Sequence, residues 1–206
     1  MNSIVRMTRR ITLPEVDRGE ALRYAGVREA DAATLALLEE CILEAEGVIS
    51  PAVCYAEYPA VTDGSVCSLG FATVESRSLA RNIAECGRMI LFAATLGIDA
   101  DRAVLRHSRI SPARAVMLDA VFTERIEAVC GAFEREVTEG RPTRPRFSAG
   151  YGDLPLELQR DIFRALTPER HIGLTLNASL LMSPSKSVTA ILAFPTSGAP
   201  GEPEAT

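Results

Sequence analysis

After Asp31, apolar residues recur every three or four positions: Leu35, Leu38 and Ile42, with Leu37 and Leu43 beside them. That spacing predicts a helix that Asp31 caps and that runs as far as Gly47. The period then changes. Residues 52–61 and 65–74 carry β-branched, aromatic and small side chains, and Thr62-Asp63-Gly64 between them reads as a hairpin turn. Ser76 to Cys86 reads as a helix with Gly87 at its C′ position, and Met89 to Leu96 as a short buried strand. Ser111-Pro112 starts the longest helix, whose stripe is Leu118, Phe122, Ile126, Val129, Phe133 and Val137. Residues 140–153 form a loop rich in Pro, Gly and Arg. Asp153 and Pro155 then open a further helix with Leu158, Ile162 and Leu166 on one face. Residues 9–13 read as a short strand, 20–24 as a helical turn or two, and 173–181 and 187–194 as extended segments.

Helices and strands interleave without a regular βαβ alternation, and at least one hairpin is expected. The fold class is therefore α+β: a single domain over residues 1–194 with a twisted, largely antiparallel or mixed sheet and flanking helices. The tail, 195–206, is rich in Pro, Gly, Ser and Ala and is expected to be disordered. A chain of 206 residues suffices for one such domain.

Composition removes whole classes. No run approaches the 18 apolar residues of a membrane-spanning helix, and no apolar core with a cleavage site follows the basic first ten residues, so a cytoplasmic protein is the expectation. The net charge of −5 argues against nucleic acid as a partner. The five cysteines are scattered and lack a Cys-x-x-Cys pair, which argues for buried thiols rather than disulfides or zinc. No Gly-x-Gly-x-x-Gly, P-loop, Gly-x-Ser-x-Gly or His-Glu-x-x-His pattern occurs. His107 and His171 read as structural, and Glu39-Glu40 or Glu134 with Glu136 as solvated helix faces. No catalytic or metal-ligating residue is assigned.

One segment is chemically distinctive. Between Arg141 and Gly152 there is no acid, while Arg141, Arg144 and Arg146 bring three positive charges. Such a loop suits a carboxylate or phosphate, which a guanidinium grips with two parallel hydrogen bonds. An ordinary exposed loop is the other reading, and charge alone leaves both open.

At Arg146-Phe-Ser-Ala-Gly150-Tyr151-Gly-Asp-Leu-Pro155 the sequence resembles the activation domain of cobalamin-dependent methionine synthase, whose Arg-x-x-x-Gly-Tyr segment binds S-adenosylmethionine. The resemblance extends in order through Phe92–Gly97, Leu118–Ala120, Ile126–Ala128, Ile172–Leu176 and Met182–Val188. It is nearer to the stand-alone, activation-domain-like proteins than to the module that ends the full enzyme. The resemblance implies that Arg146 contacts the cofactor's methionyl carboxylate and that Ala149 and Gly150 belong to the binding segment, Gly150 allowing close approach or a positive φ. It also implies that Tyr151 adds a flat wall with a polar tip, and that Glu127 faces the cofactor's ammonium or ribose hydroxyls. On a helical wheel, Glu127 lies away from the apolar stripe, so a solvated helix face is its other reading.

The implied function is reactivation of a cobalamin-dependent methionine synthase in methionine biosynthesis, by reductive methylation of oxidised cobalamin. S-adenosylmethionine is the cofactor, and cobalamin is met only through the partner, a methionine synthase or related corrinoid protein. A flavodoxin-type reductant is a further expected partner, and any methyltransferase activity would be that of a component without a complete active site. The sequence departs from the family at Asn177-Ala178, where Thr-Glu is usual, and lacks the module's C-terminal part after Phe194. Those departures favour an alternative, a non-catalytic docking subunit that has lost cofactor binding.

Overall fold

A computed structural model of the chain describes residues 6–9 and 11–196. In chain order the elements are β1 (Arg6–Arg9), α1 (Arg18–Tyr24), α2 (Ala32–Val48), β2 (Ala52–Pro59), β3 (Val61–Asp63), β4 (Val66–Ser68), β5 (Thr73–Glu75), α3 (Arg77–Asn82) and β6 (Cys86–Thr95). They continue with α4 (Ile98–His107), α5 (Pro112–Thr138), α6 (Leu158–Leu166), α7 (Pro168–Ile172), β7 (Thr175–Leu176), β8 (Met182–Ser183) and β9 (Ser187–Pro195).

The main sheet is antiparallel throughout, in the order β1-β2-β6-β9, so the mixed alternative is removed. Side chains alternate across it. On one face Val53, Tyr55, Ile90, Phe92, Ala94, Ala190, Leu192 and Phe194 join the buried side of α2, α4 and α5. On the other face Cys54, Ala56, Met89, Leu91, Ala93 and Ile191 meet residues of α3 and α6. Burial on both faces explains why β6 reads as an unbroken apolar run rather than an alternating one.

Helix starts follow local chemistry. Asp31 accepts a 2.8 Å hydrogen bond from Thr34 N at the head of α2, and Pro112 occupies the first turn of α5, where its missing N–H costs nothing. The expected stripe of α5 packs on the sheet; Phe133 meets Tyr55 and Phe92 at ring separations of 5.1 and 4.9 Å. Arg125 and Glu124, also on α5, are buried as a pair, with Arg125 donating to Pro14 O at 2.6 Å and to Glu15 O at 3.0 Å, while Glu124 accepts from Asp17 N. This pair fastens the irregular segment before α1, which carries Ile11 and Leu13 onto the helix-side core.

Several boundaries move. The first strand is Arg6–Arg9 rather than 9–13, because the following residues serve that core as a strap. The turn near Gly64 joins two three-residue strands, β3 and β4, whereas β2 pairs with β1 and β6. The helix from Ser76 stops at Asn82; Glu85 takes a positive φ of 59°, and Cys86-Gly87 already belongs to β6. Pro195 ends β9 instead of starting a tail, and Thr196 N donates to Glu85 O at 2.9 Å. The rest of the expected tail, 197–206, lies outside the described residues.

Candidate functional site

The segment 144–147 lies along the outer side of β9. Arg144 N donates to Ala193 O at 2.9 Å, Phe147 N to Ile191 O at 3.0 Å, and Ile191 N back to Phe147 O at 2.8 Å. Neighbouring side chains of an extended segment point to opposite faces. Phe147 packs against the core shared with α3 and α6, while Arg146 reaches toward α5.

There Arg146 Nη2 donates to Glu127 Oε2 at 3.0 Å, and Arg146 Nε forms an ion pair with Glu134. Glu127 and Glu134 are two helical turns apart, so one guanidinium meets both. The side chains of Arg146 and Glu134 are 28% and 27% exposed, against 44% for Glu127, so this is a half-buried cluster rather than a solvated face. That corrects the reading of Glu134: burial pushes its carboxyl above the ordinary value, and Arg146 pulls it only part of the way back. For Arg146, burial works against the charge, but Cys130, Glu134 and Glu127 outweigh it and hold the group protonated. With both carboxylates ionised the cluster carries one positive and two negative charges, a net −1.

Beyond Phe147 the chain turns sharply. Ala149 packs on the core beside α6, and Gly150 takes φ +89°, where an added Cβ would lie 3.2 Å from Leu156 Cδ1. The positive φ expected at Gly150 is present, and the close approach is to this chain's own leucine. Tyr151 is 69% exposed and sets its ring edge against Phe147 at 6.1 Å. Gly152 also has a positive φ, +56°, and a Cβ there would meet Ser78 Oγ at 2.7 Å. Asp153 explains that closeness. Its carboxylate accepts from Ser76 Oγ, Arg77 N and Ser78 N at 2.6, 2.9 and 3.0 Å, so it caps α3 from another part of the chain. The expectation that Asp153 opens the next helix is thereby overturned: α6 starts at Leu158, without a side-chain cap.

The structure thus joins Arg146 to Glu127, adds Glu134, and places Ala149, Gly150 and Tyr151 on the turn that follows. The anion-binding reading of the whole arginine loop is narrowed. Arg141 donates to Thr138 O and Val137 O at the end of α5 and lies over the Phe194 ring at 5.2 Å. Arg144 reaches Ala84 O at 3.4 Å and sits 3.9 Å from Glu85. Both guanidinia are held by the protein. A basic side chain just past a helix end is a readable signal for such carbonyl contacts.

The remaining candidates resolve into structure. His107 Nε2 lies 2.9 Å from Glu44 Oε1, joining α4 to α2, and His171 is exposed in the last turn of α7. Asn177 closes the β7–β8 turn by accepting from Leu181 N at 2.9 Å. The five cysteines are buried and none forms a disulfide. Among the described residues no group of His, Cys, Asp and Glu could hold a metal ion, and no helix is long and apolar enough to cross a membrane.

No family model and no curated protein matches the sequence. Among solved structures, the chain is similar to a crystal structure of the MetH reactivation domain bound to AdoHcy. The match has a TM-score of 0.67 at 14% identity and covers 97% of this chain and 81% of the other. Similarity that extends over nearly the whole chain, at so low an identity, establishes architecture: this protein has the fold of the MetH reactivation domain.

Proposed function

We propose that the protein binds S-adenosylmethionine and serves as a reactivation component for a cobalamin-dependent methionine synthase. The observation that carries this reading is the Arg146–Glu127–Glu134 cluster, on a fold shared with a domain bound to AdoHcy. S-adenosylmethionine has a carboxylate, an ammonium and a sulfonium, one negative charge against two positive. The cluster offers the inverse set, so the two are electrostatically complementary.

Of the five N–H donors on Arg146, one hydrogen-bonds to Glu127, while Glu134 is held as an ion pair, which leaves the guanidinium able to grip a carboxylate. In this reading Glu127, the more exposed acid, faces the ammonium, and Glu134 adds negative potential behind it. The turn at Gly150 and the exposed Tyr151 ring supply backbone and a flat apolar surface beside them. When bound, the cofactor supplies an activated methyl group. This chain's residues hold and orient it, with cobalamin brought by a corrinoid partner and the electron by a flavodoxin-type reductant.

Two measurements test the reading. Calorimetry should give saturable S-adenosylmethionine binding that Arg146→Ala weakens by about 1.5–3 kcal/mol, the value of a hydrogen bond to a charged group. Absorbance during reductive methylation of a methionine synthase held as cob(II)alamin should show faster recovery with the protein present. Absence of binding at millimolar cofactor sinks the proposal. If a cobalamin-binding domain is still captured in a pull-down, the docking-subunit reading takes its place. That second reading is favoured by Arg146 being already paired with two carboxylates and by Asn177 being tied into its turn.

A further inference from the structure

A concave region lies between α6, α7 and the start of the β7–β8 hairpin, and Arg146 is not part of its lining. It is an open cleft of about 740 Å³, within the range of small-molecule sites. Arg160 and Arg164, one turn apart on α6, form one wall with Phe163, and Arg170 of α7 stands on the other. Two of these guanidinia are oriented: Arg160 Nη2 donates to Ala178 O in the β7–β8 turn at 3.1 Å, and Arg164 Nη2 donates to Asp161 at 2.5 Å. The Arg170 guanidinium has no hydrogen-bond or ion-pair partner among the described residues. The lining also includes Thr167 and Asn177, and Glu169 is its single acid. Three arginines against one glutamate leave the lining at +2, part of which Asp161 offsets at Arg164, within a chain of net charge −5.

At the base, Thr167 has φ 45° and ψ 52°. A β-branched residue there is strained, and such strain is held in place only by its surroundings. Phe163 and Leu176 give the cleft an apolar side. We infer that this cleft is a binding site for a small phosphate monoester bearing a planar apolar group, such as a nucleoside monophosphate. Its phosphate, carrying between one and two negative charges at neutral pH, is received by Arg164 and Arg170, and its ring lies along Phe163. The site is separate from the Arg146 cluster and does not depend on the function proposed for it.

The test titrates the full chain at low salt with adenosine monophosphate, ribose 5-phosphate, inorganic phosphate and adenosine, following heat or protein NMR shifts. Adenosine monophosphate should saturate, bind more tightly than ribose 5-phosphate or inorganic phosphate, and weaken as salt rises; adenosine should be silent. Arg170→Glu and Arg164→Glu, both exposed, should each weaken it about tenfold or more, with S-adenosylmethionine binding unchanged and circular dichroism confirming the fold. No saturation at millimolar adenosine monophosphate overturns the inference. So does binding indifferent to both charge reversals, or binding lost in Arg146→Ala instead. Equal affinity for ribose 5-phosphate overturns the role of Phe163.

Discussion

Asp153 accepts a 2.6 Å hydrogen bond from Ser76 Oγ although 77 residues separate them, and the same carboxylate takes two backbone N–H groups of α3. The bond that starts α3 therefore also holds the Gly150–Gly152 turn in place.

The Ser76 hydroxyl, then the N–H groups of Ser78 and Arg77, hold the Asp153 carboxyl well below its ordinary value. In acid the native state thus binds fewer protons than the unfolded chain. The stabilisation is complete above the unfolded carboxylate value of about 4 and is lost as pH falls toward the folded one. Asp153→Asn should lower the urea midpoint at pH 7 and lower it by less at pH 3, where the advantage of the ionised carboxylate has begun to decline. Equal losses at both values would show that the charge is not what matters.

Glu134 shifts the other way, because burial raises it. The native state holds that proton more readily than the unfolded chain, so this group favours folding below its unfolded value and costs stability as pH rises through its folded one. The cluster's second negative charge therefore develops at higher pH than that of an ordinary carboxylate. Affinity for S-adenosylmethionine should rise as pH climbs above about 4, and Glu134→Gln should flatten that rise. Calorimetry across this range, with the variant in parallel, checks both.

At Gly152, an alanine would need a strained positive φ and a Cβ 2.7 Å from Ser78 Oγ. Gly152→Ala should cost about 1–3 kcal/mol of folding stability, more than Gly140→Ala, where φ is also positive but the space is open. Paired chemical denaturation curves measure the difference.

Removing Arg125 would strand the buried Glu124 carboxylate. Arg125→Met should destabilise by about 3–5 kcal/mol, and adding Glu124→Leu should restore much of it, because the penalty comes from the unpaired charge. If the double variant is no better than the single, the contacts to Pro14 and Glu15 dominate.

Burial pushes the thiol of Cys41 up to about 11 and that of Cys130 up to about 12. Since the thiolate is the reactive form, a disulfide reagent at pH 8 should find all five cysteines slow in the native state and fast in denaturant. A rapidly reacting native thiol would contradict this packing.

Elements whose signals are local were legible from the sequence. Asp31 and Pro112 announce α2 and α5 by capping chemistry, and the α5 stripe is a matter of spacing. What escaped depends on distant partners. Asp153 stands two residues before Pro155 and imitates a helix start, while its actual bonds go to α3. Glu134 sits off the apolar stripe, which normally means solvent, until the segment beside β9 delivers Arg146 onto it. Gly87 looked like a helix terminator, but α3 ends at Asn82 and the positive φ before β6 falls on Glu85, an unfavourable residue for the left-handed region.

The segment that carries Arg146 also occupies the outer edge of β9, a strand of mostly buried, apolar residues. An uncovered edge of that composition invites pairing with another chain. Solubility and the proposed ligand binding are consequently linked through one stretch of backbone. Substitutions that loosen residues 144–147 should produce aggregates as well as weak binders, and a ligand that orders this segment should act as a guard against self-association.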